Sequence, residues 1–337
     1  MKFWQISSFG LDHLECKEGL EPRPGRGEVL VKVHAVSLNY RDLLVARGLY
    51  NPKMPLPRIP CSDGGGEVVE IGEGVTTVRT GDRVAGIFMQ NWLDGRPTLE
   101  RTRGALGGDI DGMLAEYVLL KEHGVVPIPQ QLSYIQAATL PCAAVTAWNA
   151  LVHAADTKPG GVVLIQGTGG VSIFALQFAR MLGARVLGIS SSDEKLERAR
   201  TLGLDAGVNY KRAPDWSRWV LEQTQKTGAD VIVEVGGAGT LNQSLRSVAL
   251  GGVVAQIGVL GQSDEPMQIP LLLHRQIQLK GIYVGSRAHF EEMNRAIKVN
   301  DLQPIIDEIF IFEDSKRAFK KMETGTHFGK IVIQVVA

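Results

Sequence analysis

Three cysteines in 337 residues, Cys16, Cys61 and Cys142, stand far apart and make an odd count. A disulfide framework needs even numbers at regular spacing, so a stapled extracellular scaffold is excluded and a reducing compartment is expected. Net charge is missing too: thirty-six basic residues balance thirty-six acidic ones. No overall field draws the chain to nucleic acid or to an anionic membrane surface. No apolar run approaches the roughly 20 residues of a membrane span, and Met1-Lys2-Phe3-Trp4-Gln5 lacks the charged-then-apolar pattern of a secretory signal. Internal repeats and low-complexity tracts are absent. What remains is a cytoplasmic globular protein whose expected partner is a small neutral molecule, with no nucleic acid and no membrane.

The length exceeds one ordinary core and suits two domains. From Met1 to about Pro127 short alternating apolar segments are broken by Gly and Pro, as in Val29–Val36, Gly66–Ile71 and Gly81–Gly86. Period-two strands at this spacing predict a small β barrel or sandwich, with one short helix over Asn39–Gly48. From Gly161 the period changes. Strands at Val162–Gln166, Arg185–Ile189, Ala229–Val235 and Val253–Val259 alternate with helices, the first two over Ile173–Leu182 and Asp193–Leu202. Strand, helix, strand in series means parallel crossovers and a doubly wound sheet. After Val284 a helix around His289–Val299 leads to an alternating strand, Gly329–Val336, that is expected to rejoin the first domain. The fold class is therefore α/β, with a β-barrel domain over 1–127 completed by 287–337 and a Rossmann domain over 128–286.

Gly167-Thr168-Gly169-Gly170-Val171-Ser172 follows the strand Val162–Gln166 directly and opens a helix. That context turns a weak glycine pattern into a dinucleotide fingerprint. Gly167 allows the tight turn, and Gly169 lets a pyrophosphate reach the free N–H groups at the positive end of the helix. Ser172 departs from the usual third Gly or Ala but is small. About 20 residues on, an NAD-binding chain carries Asp or Glu for the ribose 2′-OH; here the strand ends in Ser190-Ser191-Ser192. Three hydroxyls leave room for a 2′-phosphate, and Lys195 one turn into the next helix supplies a cation. NADP(H) is the expected cofactor. The plainer alternative is a capping box of Ser191 and Glu194 with a solvated Lys195.

Further landmarks are Pro24–Val31, Ser37-Leu38-Asn39-Tyr40-Arg41-Asp42, Gly64–Val69, Asp111–Tyr117 and Phe328–Val332. In this order they resemble the medium-chain dehydrogenase/reductase superfamily along essentially the whole chain, above all its zinc-free quinone oxidoreductase-like and alcohol dehydrogenase-like members. The resemblance implies a GroES-like first domain. Zinc members hold their catalytic metal with Cys, His and Cys, and the matching positions are Asn39, Ser62 and Cys142. An amide and a hydroxyl are poor zinc ligands beside thiolate and imidazole, so no metal is expected, although Cys61 beside Ser62 leaves a one-residue shift open. The four closely spaced cysteines of a structural zinc are missing from Gln90–Asp111.

Without a Lewis acid, hydrogen-bond donors near the nicotinamide must polarise the substrate. By resemblance these are Asn39, Tyr40, Tyr50 and Ser62, with packing of the cleft wall as the alternative for the tyrosines. Asp42 is expected to order its own helix, and Cys142 to be a buried remnant of the lost site. Beyond the glycine turn and the serines, the resemblance places Asn39, Thr146, Tyr210, Val259, Val284 and Lys330 at the cofactor. The expected activity is hydride transfer between NADPH and a carbonyl, quinone or activated alkene without zinc. The rivals are a zinc-dependent alcohol dehydrogenase and a non-catalytic, crystallin-like or sensor protein that binds NADPH. Ile277–Val284 reads as a strand near the sheet edge, and an apolar edge needs a partner, so a homodimer or homotetramer is expected.

Overall fold

The computed structural model of the chain describes residues 1–336. The chain begins with β1 (Lys2–Ile6), β2 (Leu14–Glu18), β3 (Glu28–Ser37), α1 (Tyr40–Ala46), β4 (Asp63–Ile71) and β5 (Arg83–Gly86). It continues through α2 (Leu99–Thr102), β6 (Tyr117–Lys121), β7 (Val125–Pro127), α3 (Tyr134–Ala137) and α4 (Val145–Trp148). The parallel region is β8 (Val162–Gln166), α5 (Gly170–Met181), β9 (Arg185–Ser190), α6 (Asp193–Thr201) and β10 (Ala206–Asn209), then α7 (Trp216–Gln223) and β11 (Ala229–Glu234). It closes with α8 (Ala238–Ser247), β12 (Val248–Gln256), α9 (Ile269–His274) and β13 (Gln278–Gly281). The last elements are α10 (Arg287–Val299), β14 (Ile306–Ile311), α11 (Ser315–Thr324) and β15 (Lys330–Gln334).

Two compact units result: Met1–Val145 with Gly285–Ala337, and Thr146–Val284. In the first, seven strands form one sheet in the order β14-β15-β3-β4-β5-β7, with β6 also paired to β3. All these pairings are antiparallel except β14 with β15. The alternating segments of the sequence do form strands, and β3 lies at the centre with Val29, Val31, Val33 and Val36 in the core. At Gly66, opposite Val33, an added Cβ would lie 2.2 Å from the Lys32 carbonyl oxygen. Only glycine lets these two strands approach so closely. The closing strand β15 pairs with β3 through Val332, Ile333 and Gln334, so the C-terminal tail rejoins the first unit as the sequence suggested.

The second unit is a six-stranded, wholly parallel sheet in the order β10-β9-β8-β11-β12-β13. In terms of chain order this is 3-2-1-4-5-6, the dinucleotide-binding arrangement, whose ligand crevice lies outside the carboxyl ends of the strands. Leu164, Leu187, Ile232 and Val254 fill its core between the sheet and the helices. Their strands read as continuous apolar runs because both faces are covered.

Three readings need correction. Residues 128–145 pack with the first unit, not the second: α3 packs on β3, β4 and β15, and Ala138 shares a cluster with Ala35 and Val332. The expected strand Ile277–Val284 shortens to Gln278–Gly281, since Gly281 pairs with Gln256, where β12 ends; Val284, three residues on, is not extended but at φ +54°. Ser192, not Ser191, caps α6, its Oγ accepting from the Lys195 N–H at 3.3 Å. Helix ends elsewhere move by a few residues, as for α5 and α10.

Candidate active site

In the first unit a buried polar cluster gathers where β3, β4 and β15 meet the start of α1. Asn39 precedes α1, and its backbone N–H donates to Asp42 Oδ2 at 2.8 Å, so Asp42 does order its own helix. The amide of Asn39 faces two ways. Its Oδ1 accepts from Lys330 Nζ at 2.6 Å, and its Nδ2 donates to Ser62 Oγ at 3.4 Å. Ser62 Oγ donates in turn to Asp63 Oδ1 at 2.6 Å, while Asp63 Oδ2 accepts from the Cys142 N–H at 3.1 Å. Lys330 Nζ also donates to the Leu38 carbonyl at 2.7 Å.

Burial governs the electrostatics of this cluster. It pushes the Asp63 carboxyl above its ordinary value, while Lys330 and the hydrogen bonds from Ser62 and Asn39 pull it back. Asp42 is pushed up to about 6 by burial, against the lowering pull of Arg41 and the Asn39 N–H. Burial, with Asp63 beside it, raises the Cys142 thiol, and Cys61 rises well above its usual range for the same reason. Neither thiol is poised as a nucleophile, since reactivity needs an accessible thiolate.

Asn39, Ser62, Cys142 and Lys330 are thus brought together. Lys330 is engaged inside this unit, with Asn39 as its partner. The two tyrosines are partly exposed. Tyr40 is the first residue of α1, and Tyr50 lies under the Arg41 guanidinium at 5.1 Å, with Phe88 on the same cation at 4.8 Å. Arg41 also donates to the Leu106 carbonyl at 2.7 Å.

The second unit carries the glycine turn after β8 and the serines at the end of β9 along the carboxyl edge of its sheet. Gly167 turns at φ +67°, where an added Cβ would meet nothing within 4 Å. Gly169, extended, caps α5, so the first N–H groups of a twelve-residue helix point outward. Ser172 Oγ donates to the Gln166 carbonyl at 2.6 Å and closes the turn, which explains how serine replaces the usual small residue. After β9, Ser190 is buried and its Oγ accepts from the Ser192 N–H at 3.3 Å. The Tyr210 N–H donates to the Ser190 carbonyl at 3.0 Å. Asp193 beside them is compensated by Arg212 at 2.8 Å and by Asn209 at 3.2 Å. Thr146 is buried in α4, Val259 is exposed after β12, and Val284 is buried.

Sequence reading missed Glu234, the last residue of β11. Wholly buried, it accepts at Oε2 from Gln166 Nε2 at 2.7 Å and from Ser244 Oγ, and at Oε1 from the N–H groups of Gly236 and Gly237 and from Thr240 Oγ1. A carboxylate with this many donors needs no cation. It locks Gln166, the residue before the glycine turn. The signal was present as an acid ending an apolar strand before Gly236-Gly237.

The residues fit a nicotinamide dinucleotide: the turn has room at Gly167, no side chain caps the start of α5, and Asp193, the acid next to the serines, is paired with Arg212 and Asn209. They do not fit a catalytic zinc. Among the described residues no three His, Cys, Asp or Glu side chains gather as a metal site, and the amide and hydroxyl at Asn39 and Ser62 already bond to each other.

Comparison with known proteins gives the class. Residues 25–130 match the alcohol dehydrogenase GroES-like domain, and residues 170–299 match the zinc-binding dehydrogenase domain. Over 333 residues, 97% of the chain and 96% of its counterpart, the sequence is 43% identical to a zinc-type alcohol dehydrogenase-like protein of Schizosaccharomyces pombe. A crystal structure of a putative alcohol dehydrogenase from Sinorhizobium meliloti superposes with a TM-score of 0.91 at 40% identity, covering 99% of this chain and 98% of that one. An NAD-dependent alcohol dehydrogenase superposes with a TM-score of 0.92 at 32% identity, each chain covered in full at 100%. The chain belongs to the medium-chain dehydrogenase/reductase superfamily and is an oxidoreductase of that family.

Proposed function

We propose that the protein is an NADPH-dependent reductase that moves a hydride between the nicotinamide and a carbonyl, quinone or activated alkene, without zinc. The observation that carries this reading is the hydrogen-bond chain Lys330–Asn39–Ser62–Asp63, which engages Asn39 and Ser62, two of the three positions that by resemblance match the metal ligands of zinc relatives. A metal there would have to displace bonds that satisfy four buried groups. The S. pombe relative and the matched domain carry zinc in their names, and the donor set is what separates this chain from that chemistry.

When bound, the cofactor supplies the hydride. The protein supplies binding, orientation and electrostatics. Gly167, Thr168, Gly169, Gly170 and Val171 hold the pyrophosphate on the start of α5. Ser190, Ser191, Ser192, Lys195 and Tyr210 receive the adenosine ribose and its 2′-phosphate. Thr146, Val259, Val284 and Asn39 serve the nicotinamide end, and Lys330 acts through Asn39. Because Ser62 donates its proton to Asp63, Asn39 Nδ2 is the donor that polarises an oxygen, with Tyr40 and Tyr50 as the accessible hydroxyls.

We also propose a cytoplasmic homodimer or homotetramer. Within the second unit β13 pairs only with β12, and Leu273 in the helix before it and Tyr283 just after it are exposed, an edge that calls for cover.

Steady-state consumption of NADPH and NADH against a panel of aldehydes, ketones, quinones and enones tests the activity. Turnover with NADPH on one of these classes is expected; NADPH binding without turnover on any of them would favour a non-catalytic role.

A further inference from the structure

The helix leading out of the first unit into the second is not regular. Leu140–Ala144 and Asn149–Ala154 on either side of α4 are wound as π-helix. Such local widening is costly and recurs at functional positions. The second π segment is fastened at both ends to the last strand of the parallel sheet and its exit. Asn149 Nδ2 donates to the Val284 carbonyl at 2.7 Å, and Lys280 Nζ donates to the Ala154 carbonyl at 2.6 Å.

Val284 is the residue so held. It is β-branched, 5% exposed, and at φ +54°, where a branched side chain is a genuine outlier that persists only if its surroundings over-determine it. Among the described residues none accepts a hydrogen bond from the Val284 N–H. A donor left over in a buried loop calls for an explanation, and a ligand is the usual one. Its place supports this. In the strand order β10-β9-β8-β11-β12-β13 the glycine turn follows β8 and the serines follow β9. A dinucleotide centred on that turn therefore lays its second half over the carboxyl ends of β11, β12 and β13, and Val284 follows β13.

We propose that Asn149 is a positioning residue for the nicotinamide end of the cofactor: it holds the Val284 peptide in its left-handed conformation so that the Val284 N–H donates to the carboxamide oxygen. This rests on the NADPH reading above. Asn149 opens the second π segment, and the Lys280 bond keeps the far end of that segment against the same sheet edge.

Titration of the full chain with NADPH and, separately, with 2′,5′-ADP tests it, because the second ligand lacks the nicotinamide half. Asn149→Ala should raise the Kd for NADPH about fivefold, as expected for one hydrogen bond, and leave that for 2′,5′-ADP unchanged. Asn149→Asp, of equal size but with an acceptor facing the Val284 carbonyl, should show the same selective loss and serves if the alanine variant folds poorly. Adding Val284→Gly to Asn149→Ala should recover most of the loss, since glycine adopts this backbone without being held. Equal loss for both ligands, or no loss for NADPH, would overturn the proposal while leaving the NADPH reading intact. A parent protein that binds neither ligand would sink both.

Discussion

Lys330 Nζ and Asn39 Oδ1 lie 2.6 Å apart, although 291 positions separate them in sequence. An ammonium can only donate, so the bond fixes which end of the Asn39 amide is oxygen and turns Nδ2 toward Ser62. Lys330→Met would leave that oxygen and the Leu38 carbonyl without their donor, and Asp63 without the nearby cation that lowers its pKa. A loss of about 2–4 kcal/mol is expected. Urea unfolding with an unchanged m-value checks it; a midpoint equal to that of the parent would show that the pair is dispensable.

Asp42 makes stability depend on pH. Burial raises its folded pKa to about 6 from an ordinary 3.8, so between those values the folded state binds more protons than the unfolded chain. Stability from this group is present at low pH and is lost as pH rises through 6, by about 3 kcal/mol in all. Asp42→Asn cannot ionise. Its melting temperature should therefore gain on the parent between pH 4.5 and pH 7.5; a constant gap across that range would refute the shift.

Cofactor preference turns on the end of β9. Ser190→Asp would set a carboxylate against a 2′-phosphate and offer an acceptor to a free ribose 2′-OH, so the ratio of NADH to NADPH affinity should rise by tenfold or more. Each tenfold is about 1.4 kcal/mol, within reach of one charged contact. Fluorescence titration with both cofactors decides; a parent that binds the two equally would remove the premise.

Periodicity made the architecture legible. The change from period two to alternating strands and helices marked both units, because covered parallel strands and half-covered antiparallel ones leave different patterns. The glycine turn was legible for the same reason, sitting between a strand and a helix. What stayed hidden depended on side chains meeting across long separations. Nothing local pairs Lys330 with Asn39, or Gln166 with Glu234. Likewise, α3 reads as the start of the second domain, and only the packing of Ala138 against Ala35 and Val332 places it in the first. The strand at Ile277–Val284 seemed longer than it is because the apolar run continues past Gly281, where its partner β12 ends, and because the left-handed backbone at Val284 contradicts the propensity of valine.

Assembly through β13 is testable by light scattering. A mass near the 36.6 kDa of one chain at micromolar concentration would contradict it. If the mass is a multiple, Ile282→Lys should reduce it, since a charge buried unpaired in an apolar edge costs several kcal/mol.

The most direct test is NADPH oxidation by protein stripped with a chelator and shown by elemental analysis to lack zinc. The hydrogen-bonded cluster around Asn39 and Ser62 predicts a rate with the best carbonyl, quinone or enone acceptor that is unchanged by stripping and by added zinc. Activity that disappears with the metal and returns on stoichiometric zinc would contradict it.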